Sequence, residues 1–156
     1  MLFRSTDYKE FFTTDPRTGL IGDVADIAKS TYKSDWTLRL GGQYEFERMG
    51  NGMYPYVRAD ANWRSDYPLT SLPIYSSVGG PIDPLNKAAN IQDGYWLLNG
   101  RLGLADIPVG SGLASLSLFG ANILDEDYMD FGTPVLALQG QYARGATYGV
   151  ELGFDF

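Results

Sequence analysis

The chain has 156 residues, enough for one domain with a core, and a formal net charge of −7 from 12 basic and 19 acidic side chains. It contains neither cysteine nor histidine; this excludes disulfides, thiolate nucleophiles, a Ser-His-Asp triad and any zinc or haem site built on those residues. The acidic balance argues against nucleic acid as a partner, and 19 glycines beside 11 tyrosines, 8 phenylalanines and 3 tryptophans suit a β protein with many turns.

From the N-terminus, "MLFRSTDYKEFF" lacks the apolar stretch of roughly 7–15 residues that marks a secretory signal. "LFRSTDYKEFF" reads as a first, weak strand. "GLIGDVADIAKS" carries helical spacing at Val24, Ile27 and Ala28, which predicts a short loop helix. Five windows then alternate with period two. In "WTLRLGGQYEFE", Trp36, Leu38, Leu40, Tyr44 and Phe46 oppose Thr37, Arg39, Gln43, Glu45 and Glu47. In "YVRADANWR", Val57, Ala59, Ala61 and Trp63 oppose Arg58, Asp60, Asn62 and Arg64. In "WLLNGRLGL", Trp96, Leu98, Leu102 and Leu104 oppose Asn99, Arg101 and Gly103; in "LASLSLFGAN", Leu116 and Leu118 oppose Ser115 and Ser117, with Phe119 an exception. The closing "TYGVELGFDF" alternates over its whole length, with Tyr148, Val150, Leu152, Phe154 and Phe156 on the apolar side.

Such alternation predicts strands with one apolar and one polar face. Several windows reach the roughly 9–11 residues that a tilted strand needs to cross a membrane, against about 5–6 in a globular sheet. The links alternate too. "RMGNGM" and "ADIPVGSG" are short, whereas residues 12–35, 66–93 and 123–146 are long. Outer-membrane barrels have short periplasmic turns and long extracellular loops. Aromatics gather at strand ends: Trp36, Trp63, Tyr67, Tyr95, Trp96 and Tyr148 at the outer end, and Tyr44, Phe46, Tyr54, Tyr56, Phe154 and Phe156 at the inner end. Two such girdles mark two membrane interfaces. The predicted fold is therefore all-β, an antiparallel meander of about six long strands forming part of a transmembrane β-barrel wall. Asn51-Gly52 predicts a two-residue type I′ hairpin, whose facing residues sum to 103 and which sets Glu45 opposite Arg58; the competing reading is a longer loop with Gly50 or Gly52 in a bulge, which shifts the sum by one or two.

In order and spacing, "LRLGGQYEFERMGNGMYPYVRADANWRSDY", "DGYWLLNGRLGLAD", "SLSLFGANILDEDY" and "TYGVELGFDF" resemble the C-terminal barrel segment of TonB-dependent outer-membrane receptors. The resemblance spans roughly residues 30–156. It rests on Asp93, Tyr95, Leu97, Leu98 and Asn99, on Asn122, Ile123, Leu124, Asp125, Glu126, Asp127 and Tyr128, and on the final Phe156. It implies a Gram-negative outer-membrane location and energised uptake of a scarce nutrient such as a metal chelate, without a bound cofactor. It implies further that Tyr148, Val150, Leu152, Phe154 and Phe156 form the signal read by the barrel assembly machinery, and that Asn122, Asp125 and Tyr128 brace a loop base. Family members also carry a plug domain, a segment engaging an inner-membrane energy-coupling protein, and about 22 strands. Residues 1–156 are accordingly expected to be the C-terminal portion of such a receptor, whose partners are lipid, the remaining barrel and the plug.

Other chemistry is sparse. "LDEDYMD" offers oxygen ligands at Asp125, Glu126, Asp127 and Asp130 but lacks the spacing and glycine of a calcium loop. The lumen-facing candidates Arg39, Glu45, Arg58, Asp60, Arg64 and Arg101 either pair with one another or contact an anionic ligand. "GSG" at 110–112 is a turn and not a phosphate loop. No set of residues supports an enzyme. Two alternatives stay open: a small porin-like outer-membrane barrel lacking its first strands, and a soluble β-sandwich binding module.

Overall fold

The computed structural model describes residues 7–15, 18–72, 90–133 and 139–156. Its strands are β1 (Phe12–Thr14), β2 (Ile21–Asp23), β3 (Thr37–Glu45), β4 (Tyr54–Arg64), β5 (Tyr67–Pro68), β6 (Ile91–Gln92), β7 (Tyr95–Val109), β8 (Gly112–Ala121), β9 (Met129–Thr133), β10 (Gln139–Tyr142) and β11 (Thr147–Asp155). The fold is all-β and antiparallel. Five long strands form one sheet in the order β11-β8-β7-β4-β3, and the short strands form three two-stranded ribbons, β1-β2, β5-β6 and β9-β10. The chain divides into two units. The sheet unit comprises 38–63, 96–126 and 144–156; the ribbon unit comprises 1–37, 64–95 and 127–143.

The sheet unit is a meander. Each of its five strands coincides with an alternating window of the sequence, and their lengths of 9, 11, 15, 10 and 9 residues fall in or above the membrane-crossing class. No described apolar side chain of this unit is buried: the buried ones are Val24, Ala28, Tyr67, Leu69 and Tyr95, all in the ribbon unit. The strand expected over "LFRSTDYKEFF" is not part of the sheet. Residues 1–6 lie outside the described residues, residues 7–11 are irregular, and Phe12–Thr14 pairs with Ile21–Asp23 instead.

Two hairpins join neighbouring strands of the sheet, and each contains a bulge. Between β7 and β8, Val109 faces Gly112 across Gly110-Ser111. Only Gly110 of that pair has positive φ, at 61°, the signature of a type II′ turn. Further along, Leu104 faces Leu116 whereas Ile107 faces Ala114. The extra residue on β7 is absorbed where Asp106 adopts φ 55°, which bends the strand and puts Leu104 and Ile107, three residues apart, on the same side from there to the turn.

The β3–β4 hairpin corrects the predicted register. The Gly52 amide donates to the Met49 carbonyl and the Met49 amide to the Met53 carbonyl, both at 2.8 Å. Gly52 has φ 92°, while Asn51 is not among the positive-φ residues. This is a three-residue loop, a type I turn closed by a left-handed glycine, and not the type I′ turn predicted from Asn51-Gly52. A second offset follows at Glu47-Arg48, because the Phe46 amide donates to the Pro55 carbonyl at 2.9 Å. A Cβ placed on Gly41 would lie 3.5 Å from the Asp60 Cβ. Both pairs sum to 101 and not 103, so Arg58 faces Gln43 and Glu45 faces Tyr56. Two one-residue offsets leave every side chain on its predicted face.

The ribbon unit carries the small core. Val24 is fully buried under a single turn in which the Ile27 and Ala28 amides donate to its carbonyl at 3.1 and 3.0 Å. The helix expected over "GLIGDVADIAKS" is thus half strand and half one turn. The Asp23 carboxylate takes the i+2 amide of Ala25 at 3.0 Å and that of Phe11 at 2.9 Å, a local competitor to helix. These two donors, Phe11 first, hold its carboxyl below the ordinary carboxylate range.

Candidate functional site

The functional features of the sheet unit are its two faces. On the apolar face, Leu102, Leu118 and Val150 stand in a row across β7, β8 and β11, and Leu104, Leu116 and Leu152 form the next. Leu40, Tyr44, Leu102, Leu118, Val150 and Leu152 are each 55–65% exposed. A water-soluble sandwich would cover such rows with a second sheet. Trp63 and Trp96 stand 6.3 Å apart at the end of this face away from the hairpins, and Tyr44 and Phe46 meet edge-on at 4.9 Å near the hairpin end. Tyr148 and Phe154 sit at corresponding ends of β11. Tyr54 and Tyr56, expected in the inner girdle, do not belong to it: both line the polar face beside Arg58 and Asp60. Alternation from Val57 already requires this, since even-numbered residues of β4 oppose it.

The polar face holds an open hollow of about 570 Å³. Tyr56, Arg58, Asp60, Asn99, Arg101 and Phe119 are among its lining. Arg101 reaches across two neighbouring strands, to Ser117 Oγ at 3.1 Å and to Glu151 Oε2 at 3.1 Å. It also lies 5.6 Å from the centre of the Phe119 ring. Phe119, the exception in its window, therefore stands among the polar side chains, and glycine makes the room. A Cβ on Gly149, which faces Phe119, would come within 2.5 Å of the ring, and one on Gly103 within 2.6 Å of the Tyr56 ring. Gly103 and Gly149 were the readable signals for these two aromatics, since a strand glycine often marks a close approach.

The other lumen-facing candidates divide. Glu45 accepts a hydrogen bond from Gln43 Nε2 at 2.9 Å, two residues back on the same face. Arg58 and Asp60 line the hollow, and Arg39 lies on the exposed edge strand β3; none of the three makes an ion pair among the described residues. Arg64 belongs to the ribbon unit. Its Nε donates to Ser34 Oγ and its Nη2 to the Tyr32 carbonyl, both at 3.2 Å, and its guanidinium covers the Tyr67 ring at 4.7 Å.

The loop-base candidates are placed as follows. In the sheet unit, Asn122 Nδ2 donates to the carbonyls of Glu126 and Arg144 at 3.0 and 3.4 Å, and its Oδ1 accepts the Glu126 amide at 3.0 Å. Asp125 accepts the Ala146 amide at 2.8 Å. Both residues are left-handed, with φ 50° and 52°, a conformation that Asn and Asp tolerate. Asn99, which sequence reasoning did not assign to this base, accepts the Asn122 amide at 3.0 Å. In the ribbon unit, Tyr128 stacks on Tyr95 at 4.4 Å, and Tyr95 meets Tyr67 at 6.5 Å. Burial pushes the Tyr67 and Tyr128 phenols up, and the Tyr67 hydroxyl donates to the Met129 carbonyl at 3.2 Å. No group of three acidic side chains that could hold a metal occurs among the described residues.

At the hairpin end, Arg48 Nη1 donates to the Gly52 carbonyl at 2.8 Å and to Asp106 Oδ2 at 2.7 Å. Its guanidinium also covers the Tyr54 ring at 4.6 Å. The left-handed bulge at Asp106 thus ties one hairpin to the other, a pairing that local sequence spacing does not announce. The paired Asp106 raises the Arg48 pKa further above its ordinary value. Comparison of the chain with family models, curated proteins and solved structures finds no match.

Proposed function

We propose that this chain is wall of a transmembrane β-barrel in a Gram-negative outer membrane: the C-terminal strands of a TonB-dependent receptor for energised uptake of a scarce nutrient such as a metal chelate. One observation carries the membrane part. A five-stranded sheet of membrane-crossing strand length leaves a whole face of Leu, Val, Tyr and Phe exposed and buries no apolar side chain of its own. Lipid is the solvent that such a face fits, with the opposite, polar face turned to the lumen. Aromatic residues near both ends of the apolar face support the same placement. The receptor part rests on the motif order around Asp93, Asn122 and Tyr128, and the assembly-signal reading of Tyr148, Val150, Leu152, Phe154 and Phe156 rests on that likeness too. On this reading, Arg39, Arg58 and Asp60 are the lumen charges open to a ligand or to the plug, because Arg101 is held by Glu151.

Cell fractionation tests the location: the protein should be found in the outer membrane, and recovery in the water-soluble fraction would refute the reading. Nutrient uptake tests the receptor part. Disrupting the gene should abolish uptake of one scarce nutrient that depends on inner-membrane energy. Loss of unenergised diffusion of small solutes instead would favour the porin-like alternative.

A further inference from the structure

The three long links of the sequence are fastened to one another inside the ribbon unit. From the first link, the Tyr32 amide donates to the Pro68 carbonyl and the Lys29 amide to the Ser71 carbonyl, both at 2.8 Å. From the third link, Met129 has both of its backbone groups taken by side chains of the second. Its amide donates to Gln92 Oε1 at 2.8 Å, and its carbonyl accepts the Tyr67 hydroxyl at 3.2 Å. Those two side chains come from one facing pair, because Tyr67 stands opposite Gln92 across β5 and β6. Both residues are buried, and Gln92 Nε2 donates to the Asp93 carbonyl at 3.0 Å, which leaves Oε1 for Met129. Stacking of Tyr32 on Phe131 at 6.5 Å joins the first link to the third and closes the triangle.

A buried donor or acceptor that loses its partner is costly, so no link can leave without stranding groups on another. We propose that the segments around Lys29 and Tyr32, Tyr67 and Gln92, and Tyr128 and Met129 open and close as one cooperative body, with the Tyr67–Gln92 pair as its clasp. Coupling of this kind is reciprocal. A ligand that orders one link tightens the other two, although it touches neither. The inference stands apart from the membrane reading, since every contact in it lies inside the ribbon unit.

Amide hydrogen exchange on the full chain, dispersed in detergent, tests it. The amides of Lys29, Tyr32, Leu69 and Ala143 report the three links, the last two donating to the carbonyls of Asn90 and Tyr128 at 2.8 Å. Gln92→Leu keeps the side-chain bulk and removes the acceptor of the Met129 amide. Exchange at all four reporters should accelerate by one common factor, roughly tenfold for the loss of one buried partner, while the Phe46 amide of the sheet unit keeps its rate. Tyr67→Phe removes only the hydroxyl and should give a smaller factor, again common to the four. If Gln92→Leu abolishes protection throughout the ribbon unit, the milder variant decides. Acceleration confined to Leu69 and Met129, with Lys29 and Tyr32 at their original rates, would overturn the inference. So would unchanged exchange at Met129, or equal acceleration at Phe46, which would make the opening body the whole chain.

Discussion

At the scale of single residues, the tightest steric dependence is glycine against aromatic. Gly149→Ala would drive a methyl group into the Phe119 ring, since the position already lies 2.5 Å from it. Overpacking of this kind costs about 1–3 kcal/mol. The variant should show that loss in denaturant unfolding from detergent, and Phe119→Leu in the same chain should recover part of it. Asn122→Ala removes three side-chain hydrogen bonds and places alanine at φ 50°. A loss of about 2–4 kcal/mol is expected from unsatisfied groups and left-handed strain together. Limited proteolysis should then cut residues 123–146 much faster while the strands survive. Neither dependence is visible in the sequence window that contains it. Phe119 reads as an error in its own alternation, and only the facing glycine of another strand explains it.

Asp23 supplies a pH dependence at the same scale. Its carboxyl is held below the ordinary value by the Phe11 and Ala25 amides. A lowered carboxylate pKa contributes stability above the unfolded value, and that stability is lost as pH falls through the folded one. The β1–β2 ribbon should therefore loosen as pH drops below about 4. Amide exchange at Phe11 and Ala25 reports it directly, and Asp23→Asn should flatten the response.

At the scale of elements, strand identity and facing were legible because a two-residue period survives any bulge pair that sums to an even shift. All five sheet strands follow from that period, and so do their polar faces except beyond the single bulge at Asp106, where the facing of β7 changes parity. Register was not legible. The offsets at Gly52 and at Glu47-Arg48 depend on which glycine turns left-handed and on an arginine that reaches Asp106, 58 residues away. Asn-Gly was the stronger local signal for a hairpin, and tertiary pairing overrode it. Gly52→Ala tests the observed turn: at φ 92° it should cost roughly 1 kcal/mol, whereas Asn51→Ala, outside the left-handed region, should cost less. The ribbons β5-β6 and β9-β10 were read only as long links, since two to five residues carry no period.

At the scale of the whole molecule, composition excluded histidine and cysteine chemistry and left a chain whose long-stranded sheet exposes one apolar side. The absence of any long apolar helix among the described residues says nothing against strands that cross a membrane. No ligand was legible, because the polar face offers Arg58, Asp60 and Arg39 without a geometry that would select one ligand from another. The central claim, that lipid covers the apolar face, is tested most directly by scanning β11. Single cysteines at 147, 148, 150, 151, 152, 154 and 155, each carrying a fluorophore, can be placed in vesicles of brominated lipid. Labels at 148, 150, 152 and 154 should be quenched by the lipid and those at 147, 151 and 155 by a water-soluble quencher. Quenching by the aqueous reagent at every position, with no alternation, would contradict the account.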